Sequence, residues 1–380
     1  MRQPGSALKP FLYALALERR LLTPASLIED TPLELPEQRG LYRPLDYDRE
    51  FRGLVSMRLA LGSSLNVPAV RTIGMTGVEA FTGQLRALGF EGIVEQGDYY
   101  GSALALGSAD VRLWDLVNAY RTLANAGRYG AMRLAAGGAP PPARQVYSPA
   151  TAFLISDILA DRAGRAATFG LENALATRFW SAVKTGTSKD MRDNWCVGYT
   201  ARFTVGVWVG NFSGAAMHDV TGITGAAPVW LEVMDYLDQR FGDGAIAKPA
   251  GVTVQMVRFP NAVEPPRKEW FIAGTEPNRE AAGLDDTPRI LSPAADTVIA
   301  LDPDIPASLQ RVAFVANAGA GAARWTLDHR TLGPAGGVML WAPSPGAHTL
   351  TLADSSGRPL DTATFRVRGG TGAGLRGLGK

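Results

Sequence analysis

The sequence contains very little cysteine and histidine. Its single cysteine, Cys196, excludes an internal disulfide bond. The three histidines, His218, His329 and His348, have no second His, Cys or carboxylate at the spacing that metal ligands share. The composition therefore predicts neither a disulfide scaffold nor a metal centre, and we expect no cofactor.

A strong charge imbalance and a long apolar run are also missing. The 380 residues carry a formal net charge of only +2, whereas phosphate binding needs a basic surplus gathered on one face. No run approaches the roughly 18 consecutive apolar residues of a membrane span. We therefore expect no nucleic-acid partner and no membrane span within these residues. This length fits one large domain and a small one.

Lysine is scarce among the basic residues. Arginine supplies most of the 38 basic side chains, and lysine occurs at Lys9, Lys184, Lys189, Lys248, Lys268 and Lys380. A guanidinium keeps its proton in a protein, whereas a buried ammonium can lose it. A lysine retained against this arginine bias is therefore a candidate general base.

The first 240 residues are predicted to form helices followed by a sheet. Apolar spacing predicts a helix over residues 7–20, with Ser6 at its N-terminus. Further helices are predicted at 54–61, at 76–89 after a capping box formed by Thr76 and Glu79, and at 110–126, 148–161 and 227–237. The β-prone runs at 181–187, 195–199 and 203–208 predict the strands of the sheet.

The remainder of the chain is predicted to hold a linker and a second domain. Residues 241–286 are rich in proline and are predicted to be an extended linker. Alternating runs at 297–301, 310–316, 324–327, 348–352 and 362–367 predict a small all-β, immunoglobulin-like sandwich over 287–368. Its Trp325 and Trp341 are interpreted as core or edge aromatics rather than a carbohydrate surface. The glycine-rich tail 369–380 is predicted to be disordered.

The first informative motif is Ser6-Ala7-Leu8-Lys9 at a predicted helix start. One helical turn brings the lysine amine beneath the serine hydroxyl. Serine is a poor nucleophile until a base takes its proton, and burial of Lys9 beside cationic Lys184 would favour the neutral amine. A second S-x-x-K runs from Ser181 to Lys184. It lies on a predicted strand, where residues three apart face opposite sides, so it cannot form the same pair.

Two further motifs follow along the chain. Ser64-Leu65-Asn66 is an S-x-N pattern in a loop after an apolar helix, and taken alone it indicates only a loop cap. Lys184-Thr185-Gly186, followed by Thr187, ends a strand and places glycine where a substrate backbone must approach closely. S-x-x-K, S-x-N and K-T-G occur in this order on a helix, a loop and a strand, which chance does not explain.

With these motifs the sequence resembles the serine penicillin-recognising enzymes. The segments RQPGSALKPF at 2–11 and VKTGTS at 183–188 look like class A penicillin-binding proteins, and the trailing sandwich is similar to the 1C type. The resemblance implies an α+β fold, with a β-lactamase-like transpeptidase domain at 1–240, in which helices flank an antiparallel sheet, followed by the sandwich. It implies a peptidoglycan D,D-transpeptidase at the periplasmic face of the bacterial inner membrane.

The resemblance also implies roles for the motif residues. Ser6 would attack the penultimate D-Ala carbonyl of a stem peptide, which releases D-Ala and leaves an acyl-enzyme. Lys9 would accept the serine proton. Ser64 would relay a proton to the leaving amine, and Asn66 would hold the substrate amide.

The strand motif would bind the other end of the substrate. Lys184 would set the local positive potential, while Thr185 and Thr187, on either side of Gly186, would bind the terminal carboxylate. The backbone N–H groups of Ser6 and Thr187 would form the oxyanion hole. β-Lactams would imitate the stem peptide, although the 1C type implies that many of them bind poorly. The sandwich would be the surface for other cell-wall synthesis proteins.

Class A members carry a membrane anchor, a glycosyltransferase domain and the first strands of the transpeptidase sheet before this region. The resemblance therefore implies a sheet that is incomplete at its N-terminal side, with the 203–208 strand exposed at its edge. We also expect the turn at Ser6 to fray, because no upstream residues hold it, and activity to be low for that reason. Glycan polymerisation is not assigned to these residues.

Two alternatives remain open. A D,D-carboxypeptidase differs from a transpeptidase only in using water as acceptor. A non-catalytic peptidoglycan-binding or assembly module, or an inactive gene fragment, would be a different class. A class A β-lactamase is disfavoured, because it needs a deacylating Glu in an E-x-x-L-N loop, and the nearest segment, 172–175, is out of register.

Overall fold

The structure is a computed structural model. It describes residues 1–37, 40–44, 46, 50–135, 137, 139, 142–170, 173–242, 244–260, 263–277, 288–293, 295, 297–301, 310–316, 323–335 and 338–368. The chain divides into two compact units: the first comprises Met1–Phe259 and Val263–Pro277, and the second Pro260–Ala262 and Asn278–Lys380. The tail predicted to be disordered, 369–380, lies outside the described residues.

Helices form most of the first unit. Their bounds are α1 Lys9–Glu18, α2 Met57–Gly62, α3 Asn66–Thr76, α4 Val78–Ala87, α5 Gly97–Tyr100, α6 Leu113–Ala124, α7 Pro149–Ala160, α8 Arg162–Phe169 and α9 Ala227–Phe241. Residues 9–17 of α1 are all buried, as is typical of a helix that is apolar on every side. Helices α3, α4 and α7 pack against α1, which makes it the central helix of the unit.

A three-stranded antiparallel sheet covers this core. Its strands are β7 Ala182–Thr187, β8 Asp193–Tyr199 and β9 Thr204–Gly210, in the order β7-β8-β9. Strand β8 is buried along its whole length, whereas β9 is only half-buried. The predicted combination of helices and an antiparallel sheet is confirmed. Short two-stranded ladders complete the unit: β1 Leu27–Asp30 with β4 Gly53–Ser56, β2 Leu35–Glu37 with β3 Gly40–Tyr42, and β5 Arg128–Tyr129 with β6 Arg144–Gln145.

The predicted capping box is wrong. Thr76 is the last residue of α3, and its hydroxyl donates to the carbonyl of Ile73. The cap of α4 is Gly77, whose φ of +83° suits glycine and which makes no side-chain cap bond. Glu79 instead accepts from the backbone N–H of Gly97. Two helices meet here without a loop, so the threonine serves as a helix end rather than a helix start.

The extended linker predicted for 241–286 is also wrong over part of its length. Strands β10 Val252–Val257 and β11 Arg267–Ile272 form an antiparallel hairpin that belongs to the first unit. Residues 252–256 alternate apolar and polar side chains, as strands do. Pro260, Pro265 and Pro266 lie in the connection, where a missing backbone N–H breaks no ladder bond.

The second unit is all-β. Its strands are β12 Ile290–Ser292, β13 Thr297–Ala300, β14 Val312–Ala316, β15 Arg324–Leu327, β16 Arg330–Pro334, β17 Met339–Trp341, β18 Gly346–Ala353 and β19 Pro359–Arg368. They form two sheets, ordered β12-β14-β17 and β13-β19-β18-β15-β16, and β13 runs parallel to β19. Phe314 of the first sheet and Trp325 and Phe365 of the second share one core, as in a sandwich. The ring centroids of Trp341 and Phe314 lie 5.6 Å apart. Trp325 is therefore a core aromatic, and Trp341 packs against the same core.

In the part of the chain that the structure describes, no helix has both the length and the apolar character needed to cross a bilayer.

Candidate active site

Ser6 lies in the 3₁₀ turn Gly5–Leu8 that leads directly into α1. This turn packs against the end of β7. A Cβ at Gly5, whose φ is +56°, would overlap the carbonyl of Thr187, and a Cβ at Gly186 would overlap the carbonyl of Pro4. Gly186 is therefore needed by the protein's own backbone, where the sequence suggested only a close approach of substrate.

The segment before Ser6 is held in place by contacts with distant residues. Arg2 and Val111 exchange two backbone hydrogen bonds of 2.9 Å each. The indole N–H of Trp195 donates to the carbonyl of Gln3 at 2.9 Å. These contacts argue against the expected fraying of the turn, because strand β8 and the segment before α6 both bind the residues that precede Ser6.

Lys9 is fully buried one turn after Ser6. Its Nζ donates to the carbonyls of Ser64 at 2.6 Å and Leu65 at 3.0 Å, and to Oδ1 of Asn66 at 2.6 Å. Among the hydrogen bonds of the described residues, none joins Lys9 to Ser6. Lys9 of the S-x-x-K motif therefore binds the Ser64–Asn66 segment, which is the S-x-N motif.

Lys184 binds the same segment from the opposite side. It is 3% exposed, and its Nζ donates to the hydroxyl of Ser64 at 2.7 Å and to the carbonyl of Thr185 at 2.9 Å. Ser64 has a φ of +60°. Its carbonyl thus contacts Lys9 while its hydroxyl contacts Lys184, and the left-handed backbone turn directs these two oxygens to different lysines.

Burial lowers the pKa of both lysines. The pKa of Lys9 falls to about 7, because desolvation outweighs the negative charges of Asp46 and Asp30, which raise it. The pKa of Lys184 falls well below its usual value, first through desolvation and then through the positive charge of Lys9. Two buried ammonium groups repel each other, so one of them is readily neutral near neutral pH.

These residues surround a cleft of about 800 Å³. Ser6, Ser64, Asn66, Thr185, Gly186 and Thr187 line it. Lys9 and Lys184 are buried and reach Ser64 and Asn66. The hydroxyl of Thr187 also accepts a hydrogen bond of 3.0 Å from the backbone N–H of Gly222. The structure thus brings together all eight residues that the sequence motifs indicated.

The second S-x-x-K behaves as its strand predicts. Ser181 lies just before β7, and its hydroxyl is 2.9 Å from the hydroxyl of Thr177. Lys184, at the other end of the motif, contacts Ser64 instead. The serine of this four-residue pattern therefore lines the cleft where the pattern begins a helix, and it lies outside the cleft where the pattern enters a strand.

Sequence reasoning missed several residues of the cleft. The cleft is also lined by Asp46, Arg52, Thr168 and Thr221. They belong to no motif and occur singly in the sequence, so only the fold reveals them. Within the described ranges, no group of three or more His, Cys, Asp or Glu side chains is arranged to hold a metal ion.

Comparisons with known proteins agree with this geometry. Residues 1–234 match the family model of the penicillin binding protein transpeptidase domain, and residues 277–365 match the Penicillin-Binding Protein C-terminus Family. Penicillin-binding protein 1C of Escherichia coli K12 is 33% identical over 73% of this chain and 36% of that protein. Penicillin-binding protein 1A of Neisseria meningitidis is 30% identical over 66% of this chain and 33% of its own length.

Solved structures show the same fold. The crystal structure of penicillin-binding protein 1A from Haemophilus influenzae superposes with a TM-score of 0.62 at 25% identity, over 73% of this chain and 48% of that one. PonA1 from Mycobacterium tuberculosis, in complex with penicillin V, superposes with a TM-score of 0.53 at 24% identity, over 65% of this chain and 71% of that one.

The chain spans about a third of the length of the curated relatives that it matches. More than half of it is covered by a single family model. With the S-x-x-K, S-x-N and K-T-G residues assembled in one cleft, the chain belongs to the penicillin-binding protein transpeptidase family, with a C-terminal domain of the kind that accompanies it in the 1C type.

Proposed function

We propose that this chain is a serine-type peptidoglycan D,D-transpeptidase that forms an acyl-enzyme at Ser6. The observation that carries the proposal is the meeting of Lys9 and Lys184 at the Ser64–Asn66 segment beside Ser6. A buried, easily deprotonated amine next to an accessible serine is the arrangement that nucleophilic catalysis requires. No simple structural role explains two buried lysines in one place.

The first half-reaction follows from the hydrogen bonds. A neutral Lys9 has two N–H groups and one lone pair, so it keeps two of its three acceptors and accepts the proton of Ser6. The serine Oγ then bonds to the penultimate D-Ala carbonyl carbon, whose oxygen becomes negative. The backbone N–H groups of Ser6 and Thr187 stabilise that oxyanion, since the turn that holds Ser6 packs against the end of β7.

The intermediate collapses by breaking the amide bond. Ser64, whose hydroxyl accepts from Lys184, gives its proton to the departing D-Ala nitrogen and takes one from Lys184, while Asn66 holds the substrate amide. An amine from a second stem peptide then attacks the ester and returns a proton through Ser64 to Lys184. Ser6 leaves the ester and regains its own proton from Lys9. In a β-lactam the same attack opens the four-membered ring. Thr185 and Thr187, on either side of Gly186, bind the carboxylate, and Lys184 supplies the positive potential.

The proposed substrates are peptidoglycan stem peptides, with β-lactams as their mimics. The proposed site of action is the periplasmic face of the bacterial inner membrane. The second unit is proposed to contact other cell-wall synthesis proteins. These assignments rest on the family and on the site, since the chain covers only part of its relatives.

Intact-mass analysis after incubation with a D-Ala-D-Ala thioester tests the proposal. The wild-type chain should gain one acyl group, and Ser6→Ala should gain none. Ser181→Ala is the matched control, because this serine belongs to the same four-residue pattern yet lies outside the cleft, and it should acylate normally. An adduct that survives Ser6→Ala would overturn the assignment.

Product analysis separates transfer from hydrolysis. With an amine acceptor present, a transpeptidase yields the cross-linked amide, whereas a D,D-carboxypeptidase yields only the free acid. A chain that never forms an adduct, although folded, would instead be the non-catalytic module considered above.

A further inference from the structure

A pair of buried carboxyl groups lies behind Asn66. Asp30 ends β1 and is fully buried, and Asp46 is 4% exposed. One oxygen of Asp30, Oδ2, accepts the backbone N–H of Arg52 at 2.9 Å. One oxygen of Asp46, Oδ1, accepts the backbone N–H of Asn66. Each carboxyl group is therefore fixed through one oxygen to the backbone beside the cleft.

The other two oxygens have no donor. Oδ1 of Asp30 and Oδ2 of Asp46 are buried and have no hydrogen-bond partner among the described residues, and the Asp46 carboxyl group lies beside that of Asp30. Two ionised carboxylates in contact away from water repel strongly, and each orphaned acceptor adds a further cost. A single proton between them removes both costs.

The titration of Asp30 agrees with this geometry. Burial, with the neighbouring Asp46 carboxyl, raises the pKa of Asp30 to about 7, although its hydrogen bond from Arg52 acts in the opposite direction. Asp30 therefore holds its proton to a pH at which an ordinary carboxyl group has already lost it.

We propose that Asp30 and Asp46 share one proton and act as a positioning pair for acylation: Asp46 fixes the backbone of Asn66, and the single negative charge of the pair balances Lys9. The connection runs from Asp46 to the N–H of Asn66 and from Oδ1 of Asn66 to Nζ of Lys9. A carboxyl pair with two charges would hold Lys9 as an ammonium, and an uncharged pair would leave that ammonium unbalanced.

The charged and titratable groups facing this centre come from several elements. They are Lys9 and Tyr13 of α1, Asp30 of β1, Asp46, Arg52 before β4, and Lys184 of β7. Only Asp30 and Asp46 in this set are carboxyl groups. The proposal rests on the role of Lys9 as base, which belongs to the proposed function.

Four variants of the full chain test the pair through the second-order rate of thioester acylation. Asp46→Ala removes the acceptor of the Asn66 N–H and should slow acylation at least about tenfold, since misplacement by about 1 Å can cost about a hundredfold. Asp46→Asn should restore most of that loss, because its amide oxygen accepts from Asn66 while its NH₂ donates to Asp30, as the shared proton does. Asp30→Asn should behave alike, by donating to Asp46.

The pH of half-maximal acylation provides a second readout. Each single Asn variant retains one negative charge, so this pH should stay close to that of the wild type. Asp30→Asn/Asp46→Asn retains none. Because the negative charge stabilises the ammonium of Lys9, its removal should shift the half-maximal pH downward by about one unit or more. Asp115→Asn, a buried carboxylate on α6 paired with Arg112, is the matched control and should leave this pH unchanged.

The outcomes separate the two proposals. Wild-type acylation that depends on Ser6, rescue by Asp46→Asn and a shift only in the double variant support the pair. Single Asn variants that each shift the pH as far as the double variant would show two independent charges and overturn it. Equal rates for Asp46→Ala and wild type would also overturn it. Absence of any Ser6-dependent acylation in the wild type would overturn the proposed function and this inference together. If Asp46→Ala does not fold, the Asn variants decide.

Discussion

The first unit contains two clusters of buried charge that differ in their balance. The lysine cluster consists of Lys9, Lys184, Ser64 and Asn66, and neither lysine forms an ion pair with any described carboxylate. The arginine cluster consists of Arg58, Asp157, Asp161 and Glu269. In it the guanidinium of Arg58 reaches Glu269 at 2.6 Å, Asp157 at 2.5 Å and Asp161 at 3.1 Å.

Burial therefore has opposite results in the two clusters. Desolvation would lower the pKa of Arg58, but the hydrogen bonds and charge of Glu269, followed by those of Asp157, raise it above its usual range. In the lysine cluster no carboxylate of the described residues forms such an ion pair. Desolvation outweighs the more distant charges of Asp46 and Asp30 at Lys9, and the pKa of each lysine falls. A buried cation that has its counter-ions keeps its proton, whereas one without them loses it more readily.

The two clusters are linked through α2. Arg58 lies at the start of this helix. Its ion pairs reach Glu269 of β11, Asp157 of α7 and Asp161, the residue after α7. The helix ends at Gly62, two residues before Ser64. The arginine cluster thus anchors α2, the helix that leads into Ser64 of the lysine cluster. This arrangement predicts different consequences when each cluster is broken.

The largest effect is expected on stability, from Glu269→Ala. This change leaves the guanidinium of Arg58 without its most buried partner and should lower the free energy of unfolding by about 3 to 5 kcal/mol. Urea denaturation measures it. Lys268→Ala, an exposed neighbour on the same strand, is the control and should change stability by less than about 0.5 kcal/mol. A loss below about 1 kcal/mol for Glu269→Ala would mean that the two clusters do not differ as described.

The next largest effect is expected on rate, from Lys9→Arg. Arginine keeps the positive charge but cannot give up its proton, so acylation by the thioester should slow at least about a hundredfold, the usual contribution of a general base. Lys268→Arg is the control and should acylate like the wild type. Melting temperature shows whether the larger side chain disturbs the core. Acylation at the wild-type rate would show that Lys9 is only a structural cation.

The sequence predicted the reactive cluster better than the stabilising one. S-x-x-K, S-x-N and K-T-G are short, ordered patterns in which each letter has a chemical role, so Lys9, Ser64 and Lys184 could be found without a structure. Arg58 and Glu269 are 211 positions apart, and no local pattern connects them. The sequence predicts a linker where the hairpin that carries Glu269 lies, because the prolines of this region are a stronger local signal than the short alternation of β10.

The same limit applies to the carboxyl pair and to the N-terminal turn. Asp30 ends β1 and Asp46 lies between β3 and β4, and no local pattern of the sequence connects them. The contacts of Arg2 and Gln3 depend on Val111 and Trp195, which lie far along the chain. Sequence reasoning placed Ser6 correctly on a helix start but expected it to fray, because contacts of this range are absent from local patterns.

The smallest predicted effect is the pH dependence of the acylation rate. It distinguishes the two clusters because Lys9 loses its proton near neutral pH, whereas Arg58 does not. Lys9 must be neutral to accept the proton of Ser6, and its pKa is lowered to about 7. Acylation should therefore increase as pH rises through 7 and should be about tenfold slower at pH 6 than at pH 8.

Stability should respond in the same direction at higher pH. Between about 7 and 10 the unfolded chain holds a proton on Lys9 that the folded protein has lost, so Lys9 makes the folded state more stable as pH rises. Lys9→Met removes this titratable group. Its free energy of unfolding should therefore rise less steeply over that range than that of the wild type. Glu269→Ala should retain the wild-type slope, because Arg58 keeps its proton throughout. Equal slopes for the wild type and Lys9→Met, together with acylation that is constant from pH 6 to 8, would show that Lys9 keeps its proton. The lysine cluster would then be as inert as the arginine cluster.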